Sequence, residues 1–127
     1  MKYDEFIDAV AERAVLTDGQ AQVLTIATLA TLAERITGGE ADDLASQLPA
    51  PLQEPLLAAD EPAMPFDLAE FIRRVSERAA VDAADAVEGI RAVFGTLAEA
   101  VTGGEFADVL SQLPDEYVEL VGPIGIV

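Results

Sequence analysis

The chain has 127 residues, a formal net charge of -17, and neither cysteine nor histidine. Half of it is apolar, which is enough to build a hydrophobic core. The missing residue types exclude disulfides, thiolate chemistry and histidine-based acid–base or nucleophile systems, so we predict no enzyme. The negative charge disfavours nucleic acid and anionic membrane surfaces as partners, whereas a basic protein partner is compatible with it.

The first half of the chain is predicted to form three helices, at about residues 3–15, 18–36 and 40–48. Thr17 and Gln20 fit a capping box at the start of the second helix. Gly38 is expected to end that helix in the left-handed C-cap conformation. Three prolines follow the third helix and leave at most one helical turn around residues 52–57.

The second half restarts the same pattern after a proline-containing linker. Asp67 and Asp82 are expected to cap its first two helices. Gly103 is expected to end the second of these in the same way as Gly38. An apolar tail follows the last helix. The predicted helices of this half lie at about residues 68–80, 82–101, 105–113 and 115–121.

Two short motifs occur twice, 65 residues apart. Thr37-Gly38-Gly39-Glu40 returns as Thr102-Gly103-Gly104-Glu105, and Ser46-Gln47-Leu48-Pro49 returns as Ser111-Gln112-Leu113-Pro114. At this offset, 22 of the 45 positions from 5 to 49 are identical to their copies. We therefore predict an all-α helical bundle of two tandem pseudo-symmetric repeats of about three helices each, roughly 6–8 helices in all.

The predicted domain organisation follows the same division. Helical repeat 1 spans residues 1–57, and a proline-rich linker follows at residues 58–65. Helical repeat 2 spans residues 66–121, and the apolar C-terminal tail comprises residues 122–127. Because neither repeat has enough helices to bury its apolar faces alone, both are expected to form one compact body.

Differences between the repeats point to a candidate interaction surface. The stripe formed by Val23, Ile26 and Ala30 is apolar, whereas its copy, which includes Gly95, looks solvated. Either the tail at residues 124–127 or a second molecule is expected to cover the apolar stripe. Arg73 and Arg74 have no counterpart in the first repeat, so they form either a self-association contact or a solvated surface. The candidate surface therefore comprises Val23, Ile26, Ala30, Arg73 and Arg74.

No catalytic, cofactor-binding or metal-binding residues are predicted. The Gly-Gly-Glu stretches read as helix-to-helix turns rather than phosphate cradles, because a Walker lysine and a preceding strand are missing. Glu40 and Glu105 are expected to favour the start of the following helix through its dipole. Arg13 and Arg78 are expected to complement a helix C-terminus and to pair with glutamates on a neighbouring helix.

Further motifs accompany the two repeated ones: Tyr3-Asp4-Glu5-Phe6, Leu32-Ala33-Glu34-Arg35, Gly38-Gly39-Glu40-Ala41-Asp42-Asp43-Leu44, Ser46-Gln47-Leu48-Pro49, Phe71-Ile72-Arg73-Arg74-Val75 and Gln112-Leu113-Pro114-Asp115-Glu116-Tyr117. Together these motifs resemble a known family of bacterial and archaeal proteins, the domain of unknown function 2267. The resemblance extends over essentially the whole chain, implies a small all-α protein with two repeats, and implies no activity. The C-terminal residues depart from the acidic and aromatic ending that the resemblance implies.

The function expected from these features is that of a non-enzymatic, acidic helical interaction or scaffold protein without a cofactor. Its partner is expected to be another protein or a second copy of the chain. The alternative is a small-ligand or metal-binding bundle with a site between the repeats, which a carboxylate-lined inter-repeat site would favour. A cytoplasmic location is expected, because the N-terminus is acidic and no apolar run approaches the roughly 20 residues of a membrane helix.

Overall fold

The computed structural model describes residues 1–59 and 62–122. Eight α-helices and no strands occur within these ranges, which confirms the predicted all-α bundle. The helices are α1 (Tyr3–Ala14), α2 (Asp18–Arg35), α3 (Gly38–Ser46), α4 (Ala50–Leu57), α5 (Leu68–Ala79), α6 (Ala83–Ala100), α7 (Gly103–Ser111) and α8 (Asp115–Val121).

Local capping by side chains explains where α2, α5 and α6 begin. The Thr17 hydroxyl accepts a hydrogen bond from Gln20 N, and Gln20 Oε1 accepts one from Thr17 N at 3.0 Å. Asp67 and Asp82 each accept from the backbone three residues on, so the predicted caps are confirmed. Helices α1, α2 and α3 begin 65 residues before α5, α6 and α7. The division into domains stays a prediction.

The prediction that Gly38 and Gly103 end the long helices is wrong. Each of these glycines is the first residue of the next helix, and neither has a positive φ. The preceding residues, Thr37 and Thr102, are extended and cap α3 and α7 with their hydroxyls. An N-cap threonine satisfies the first free N–H groups of the helix, so the motif starts a helix instead of ending one.

Helix α4 is longer than the single predicted turn. It has 8 residues and contains Pro55. Pro51 lies in its first turn, where an intrahelical N–H donor is not required. An interior proline costs about 3 kcal/mol, but burying Leu52 and Leu56 returns about 1.5–3 kcal/mol each. Packing therefore outweighs the local penalty.

The core lies around the two long helices, α2 and α6, which contact each other and both short first helices. Phe71 packs edge-on against Phe94 and Tyr117. Where α2 crosses α6, Leu24 faces Gly89, the residue at the matching position of the second repeat. A Cβ on Gly89 would lie 2.7 Å from Leu24 Cδ2, so the close helix crossing depends on this large–small pair.

The apolar stripe of α2 is uncovered within the described residues. Val23 is 48% exposed and Ile26 46% exposed, whereas Ala30 is half-buried. The tail predicted as one possible cover lies outside the described residues. The matching stripe on α6 was predicted to be solvated, and this holds only in part, because Gly95 is buried.

Candidate functional site

Two arginine clusters connect the repeats reciprocally. Arg78 Nη1 donates to Thr31 Oγ1 at 2.8 Å, and its Nη2 pairs with Glu34 Oε2 at 2.7 Å. The matching Arg13 pairs with Glu99, the copy of Glu34. The predicted arginine–glutamate pairs are therefore present, and each one crosses from one repeat to the other. Reciprocal contacts between matching positions are what an approximate two-fold axis produces.

The two repeated motifs also meet across this axis. Gln112 Oε1 accepts a hydrogen bond from Thr37 N at 2.8 Å, and Gln112 Nε2 donates to Thr37 Oγ1 at 3.2 Å. In the reverse direction, Gln47 Oε1 accepts from Thr102 N at 2.8 Å. The glutamine of each Ser-Gln-Leu-Pro motif thus holds the Thr-Gly-Gly-Glu motif of the other repeat.

This crossed arrangement changes what Glu40 can do. In a capping box, the third helical residue accepts from the N–H of the cap, as Gln20 does for Thr17. In α3 that N–H, on Thr37, is already held by Gln112, although Thr37 Oγ1 still accepts from Glu40 N. The Glu40 side chain is therefore released from its usual local partner, and by symmetry so is Glu105.

The released glutamates lie together between α3 and α7. Glu40 is 9% exposed and Glu105 is 8% exposed. Glu40 Oε1 and Glu105 Oε2 are buried without a hydrogen-bond partner. One carboxylate oxygen each of Glu40, Glu105 and the exposed Asp108 lie within 4.8 Å of one another. Within residues 1–59 and 62–122, no salt bridge includes Glu40 or Glu105.

The surroundings of Glu40 disfavour its charged form. Burial, which is the largest cause, and the neighbouring acids together raise the pKa of Glu40 from its ordinary value of 4.5 to about 8. The neighbouring acids that contribute are the Glu105 carboxyl, with which a protonated Glu40 can share its proton, and the negative charges of Asp108 and Asp43. A pKa of about 8 keeps a proton on Glu40 at neutral pH unless a bound cation replaces it.

The donor set selects the kind of cation that fits. Every donor is a carboxylate oxygen, and hard cations such as Ca²⁺, Mg²⁺ and Mn²⁺ prefer oxygen ligands. Oxygens up to 4.8 Å apart can both reach a Ca²⁺ ion placed between them at about 2.4 Å. Soft or imidazole-seeking metals find neither cysteine nor histidine in this chain.

The residues of the predicted interaction surface do not come together. Arg74 pairs with Glu34, near the C-terminal end of α2, and its guanidinium lies 4.1 Å from the Phe66 ring centroid. Val23 and Ile26 lie in the N-terminal half of α2, where the helical rise puts Ile26 about 12 Å from Glu34. The two parts of this surface are therefore separate.

Arg73 and Arg74 are both engaged by carboxylates of their own helix. Arg73 pairs with Glu70 and Glu77, and Arg74 also pairs with Glu70. These ion pairs lower the pKa of Glu70 to about 2. Arg73 remains half exposed, whereas Arg74 is mostly buried and also reaches Glu34 in the other repeat.

Sequence reasoning missed the Glu40–Glu105 pair. Both residues were assigned to the helix dipole, which is a local role. The signal that could have found them is their matching position in the two repeats, since equal positions meet when they lie near a two-fold axis.

These features define a small all-helical protein whose halves exchange arginine–glutamate and glutamine–threonine contacts around a pair of buried acids. A family model described as "Uncharacterized conserved protein (DUF2267)" matches residues 3–120, and the chain belongs to this family. None of the curated proteins compared with the chain matches it. Over the described ranges, no helix has both the length and the apolar character needed to cross a bilayer.

Proposed function

We propose that this protein binds a hard divalent cation between α3 and α7, and that it is not an enzyme. The observation that carries this proposal is the pair of carboxylates, Glu40 and Glu105, which are about nine-tenths buried and lack partners for one oxygen each. Asp108 supplies a third oxygen from the exposed side, where a cation can enter.

A purely structural role explains the pair poorly. When both are ionised, two carboxylates at most 4.8 Å apart repel each other by at least about 3.5 kcal/mol at an effective dielectric constant of ~20. Apolar residues of similar size at a buried contact are usually as stable as ions or more stable. Like charges held together in a buried contact are typical of ligand sites, where a bound cation offsets the repulsion.

The non-enzymatic part of the proposal is supported by the absence of histidine and cysteine from the sequence. The repeated serines are also occupied, because Ser46 Oγ donates to Asp43 O and Ser111 Oγ donates to Asp108 O, each at 2.6 Å. We propose a cytoplasmic setting for this protein.

Isothermal titration calorimetry tests the proposed site, with Ca²⁺, Mg²⁺ and Mn²⁺ in 0.15 M KCl to screen the general negative charge. We expect one saturable site, and we expect Glu105→Gln to weaken binding at least tenfold. Asp42→Asn is the matched control, because it removes one charge from an exposed position on α3. If both variants weakened cation binding equally, the loss of affinity would reflect only the change in total charge, and this result would refute the site.

A second candidate function is the interaction or scaffold role, and exposed apolar residues favour it. Val23 and Ile26 remain almost half exposed, and Val23 borders a groove of about 250 Å³ that Leu24 and Val81 also line. The partner would be a basic protein or a second copy of the chain, and nucleic acid is not expected against a net charge of -17.

Sedimentation analysis of the wild type and of Val23→Ser/Ile26→Ser tests self-association. A dimer that dissociates in the double variant would support the second candidate. A wild-type monomer at all concentrations would remove the homodimer from consideration. The chain offers Gln22→Ser on the exposed part of the same helix as the control.

A further inference from the structure

We infer that the site between α3 and α7 takes Ca²⁺ in preference to Mg²⁺, a selectivity that rests on the proposed cation-binding function and names its ligand. Three features of the site carry this preference. Its inner donor oxygens are buried, the backbone that presents them is held in place, and several carboxylates lie within reach of one cation.

Charge does not distinguish the two cations. Ca²⁺ and Mg²⁺ carry the same charge, so the net charge of -17 attracts both of them. The two ions differ in radius and in how readily they lose water. Mg²⁺ binds oxygens at about 2.0–2.1 Å in a near-ideal octahedron and gives up its water reluctantly, whereas Ca²⁺ binds about six to eight oxygens at about 2.3–2.6 Å in irregular arrangements. A preference between them therefore comes from hydration and geometry.

The inner donors of the site require a cation that loses water. Glu40 Oε1 and Glu105 Oε2 are buried, and both residues are about nine-tenths buried as a whole. Because solvent does not reach these two oxygens, a cation bound to both has exchanged the water on its inner side for carboxylate. Mg²⁺ usually keeps several waters and is held by one or two carboxylates. Ca²⁺ loses less hydration free energy in this exchange, because the larger ion binds water more weakly.

The backbone on both sides of the site is held in place. Gln112 Oε1 accepts a hydrogen bond from Thr37 N, and Gln47 Oε1 accepts one from Thr102 N, each at 2.8 Å. The two threonines cap α3 and α7, and their hydroxyls accept from the backbone N–H groups of the two glutamates at 3.2 Å. Only rotation of the side chains can then adjust the donor oxygens. An ion that accepts irregular coordination fits such a frame better than one that demands an octahedron.

The number of carboxylates also suits the larger ion. Glu40, Glu105 and Asp108 each bring one oxygen to within 4.8 Å of the others. Asp43 holds the position on α3 that Asp108 holds on α7, and it is exposed about one turn after Glu40. Since a carboxylate binds Ca²⁺ through one or both oxygens, these residues supply roughly four to eight ligands, which matches the coordination of Ca²⁺.

Competition calorimetry of the full chain tests the preference. CaCl₂ is titrated into the protein in 0.15 M KCl, first alone and then with millimolar MgCl₂ present, and MgCl₂ is titrated alone. We expect the affinity for Ca²⁺ to exceed that for Mg²⁺ at least tenfold. A saturable site with equal or higher affinity for Mg²⁺ would overturn the preference and leave the proposed function intact. No saturable binding of Ca²⁺, Mg²⁺ or Mn²⁺ would overturn the preference and the proposed function together.

Terbium luminescence tests the loss of water directly. Tb³⁺ is a hard, oxygen-binding ion close to Ca²⁺ in size, and its luminescence lifetimes in H₂O and D₂O count the water molecules that remain bound to it. We expect Tb³⁺ bound to the wild type to keep only a minority of the waters of the free ion, and we expect Ca²⁺ to displace it more readily than Mg²⁺ does.

Two variants separate the site from the general negative charge in this measurement. Glu105→Gln should leave more water on the bound ion, because one inner carboxylate is lost. Asp42→Asn removes a charge from an exposed position on α3 and should match the wild type. Bound Tb³⁺ that keeps most of its water in the wild type would overturn the inference, because the buried oxygens would then not contact the ion.

Discussion

The change Glu40→Gln should make the stability of this protein almost independent of pH between 5 and 9. The substitution keeps the size of the side chain but removes its ability to ionise. In the wild type, burial and the neighbouring acids raise the pKa of Glu40 from 4.5 to about 8, and the folded state therefore holds this proton more tightly than the unfolded state. A raised folded-state pKa contributes stability that is present below pH 4.5 and is lost as the pH rises to about 8.

Two related quantities bracket the size of the loss, since the pKa shift of Glu40 already includes its repulsion by Glu105. The difference between the folded and ordinary pKa values corresponds to roughly 4–5 kcal/mol. The repulsion of two carboxylates at most 4.8 Å apart corresponds to about 3.5 kcal/mol at an effective dielectric constant of ~20. We therefore expect wild-type stability to fall by about 3–4 kcal/mol from pH 5 to pH 9, and Glu40→Gln to fall by less than about 1 kcal/mol.

Urea unfolding followed by far-UV circular dichroism at pH 5, 7 and 9, in EDTA, measures this difference. The control Asp42→Asn removes one charge from a solvated position on the same helix and should follow the wild type. At pH 5 the wild type and Glu40→Gln should be nearly equal, because the pair already holds a proton. Parallel profiles of stability against pH for the wild type and Glu40→Gln would refute the claim that ionisation of the Glu40–Glu105 pair destabilises the fold.

The contacts between the repeats give two further expectations. Arg78→Ala should cost about 1–2 kcal/mol in urea unfolding at pH 7, since Thr31 and Glu34 lose a partner. Arg78 is the largest cause of the lowered pKa of Glu34. The difference in free energy of unfolding between the wild type and Arg78→Ala should therefore shrink as the pH falls below 4.5 and Glu34 is protonated. An unchanged difference at pH 3 would contradict this expectation. Gln112→Ala should cost about 1 kcal/mol and weaken Ca²⁺ binding, because Glu40 can then turn back to cap its own helix. Undiminished affinity in calorimetry would show that the crossed cap does not position Glu40.

The sequence predicted most of the fold because most helix boundaries here have local causes. Thr17, Asp67 and Asp82 start their helices through hydrogen bonds to residues three positions on. The repeat offset also placed the matching helices in register. The glycine pairs were misread because glycine is more common after a helix than at its start, whereas here a threonine cap precedes them.

The candidate site could not be predicted in the same way, because its cause is not local. The Thr37 motif has the sequence pattern of a capping box, and nothing within its own repeat prevents that box from forming. The residue that prevents it, Gln112, lies 75 positions away and arrives only when the repeats pack together. Packing between the repeats thus decides whether Glu40 caps its own helix or meets Glu105.

The most direct test of the central claim is a crystal structure of this protein grown with MnCl₂, with an anomalous difference map calculated at the manganese edge. We expect one strong peak between α3 and α7, bonded to a carboxylate oxygen of both Glu40 and Glu105 at about 2.2 Å. A map without a peak at this position, with the two carboxyls hydrogen-bonded to each other at saturating Mn²⁺, would contradict the account.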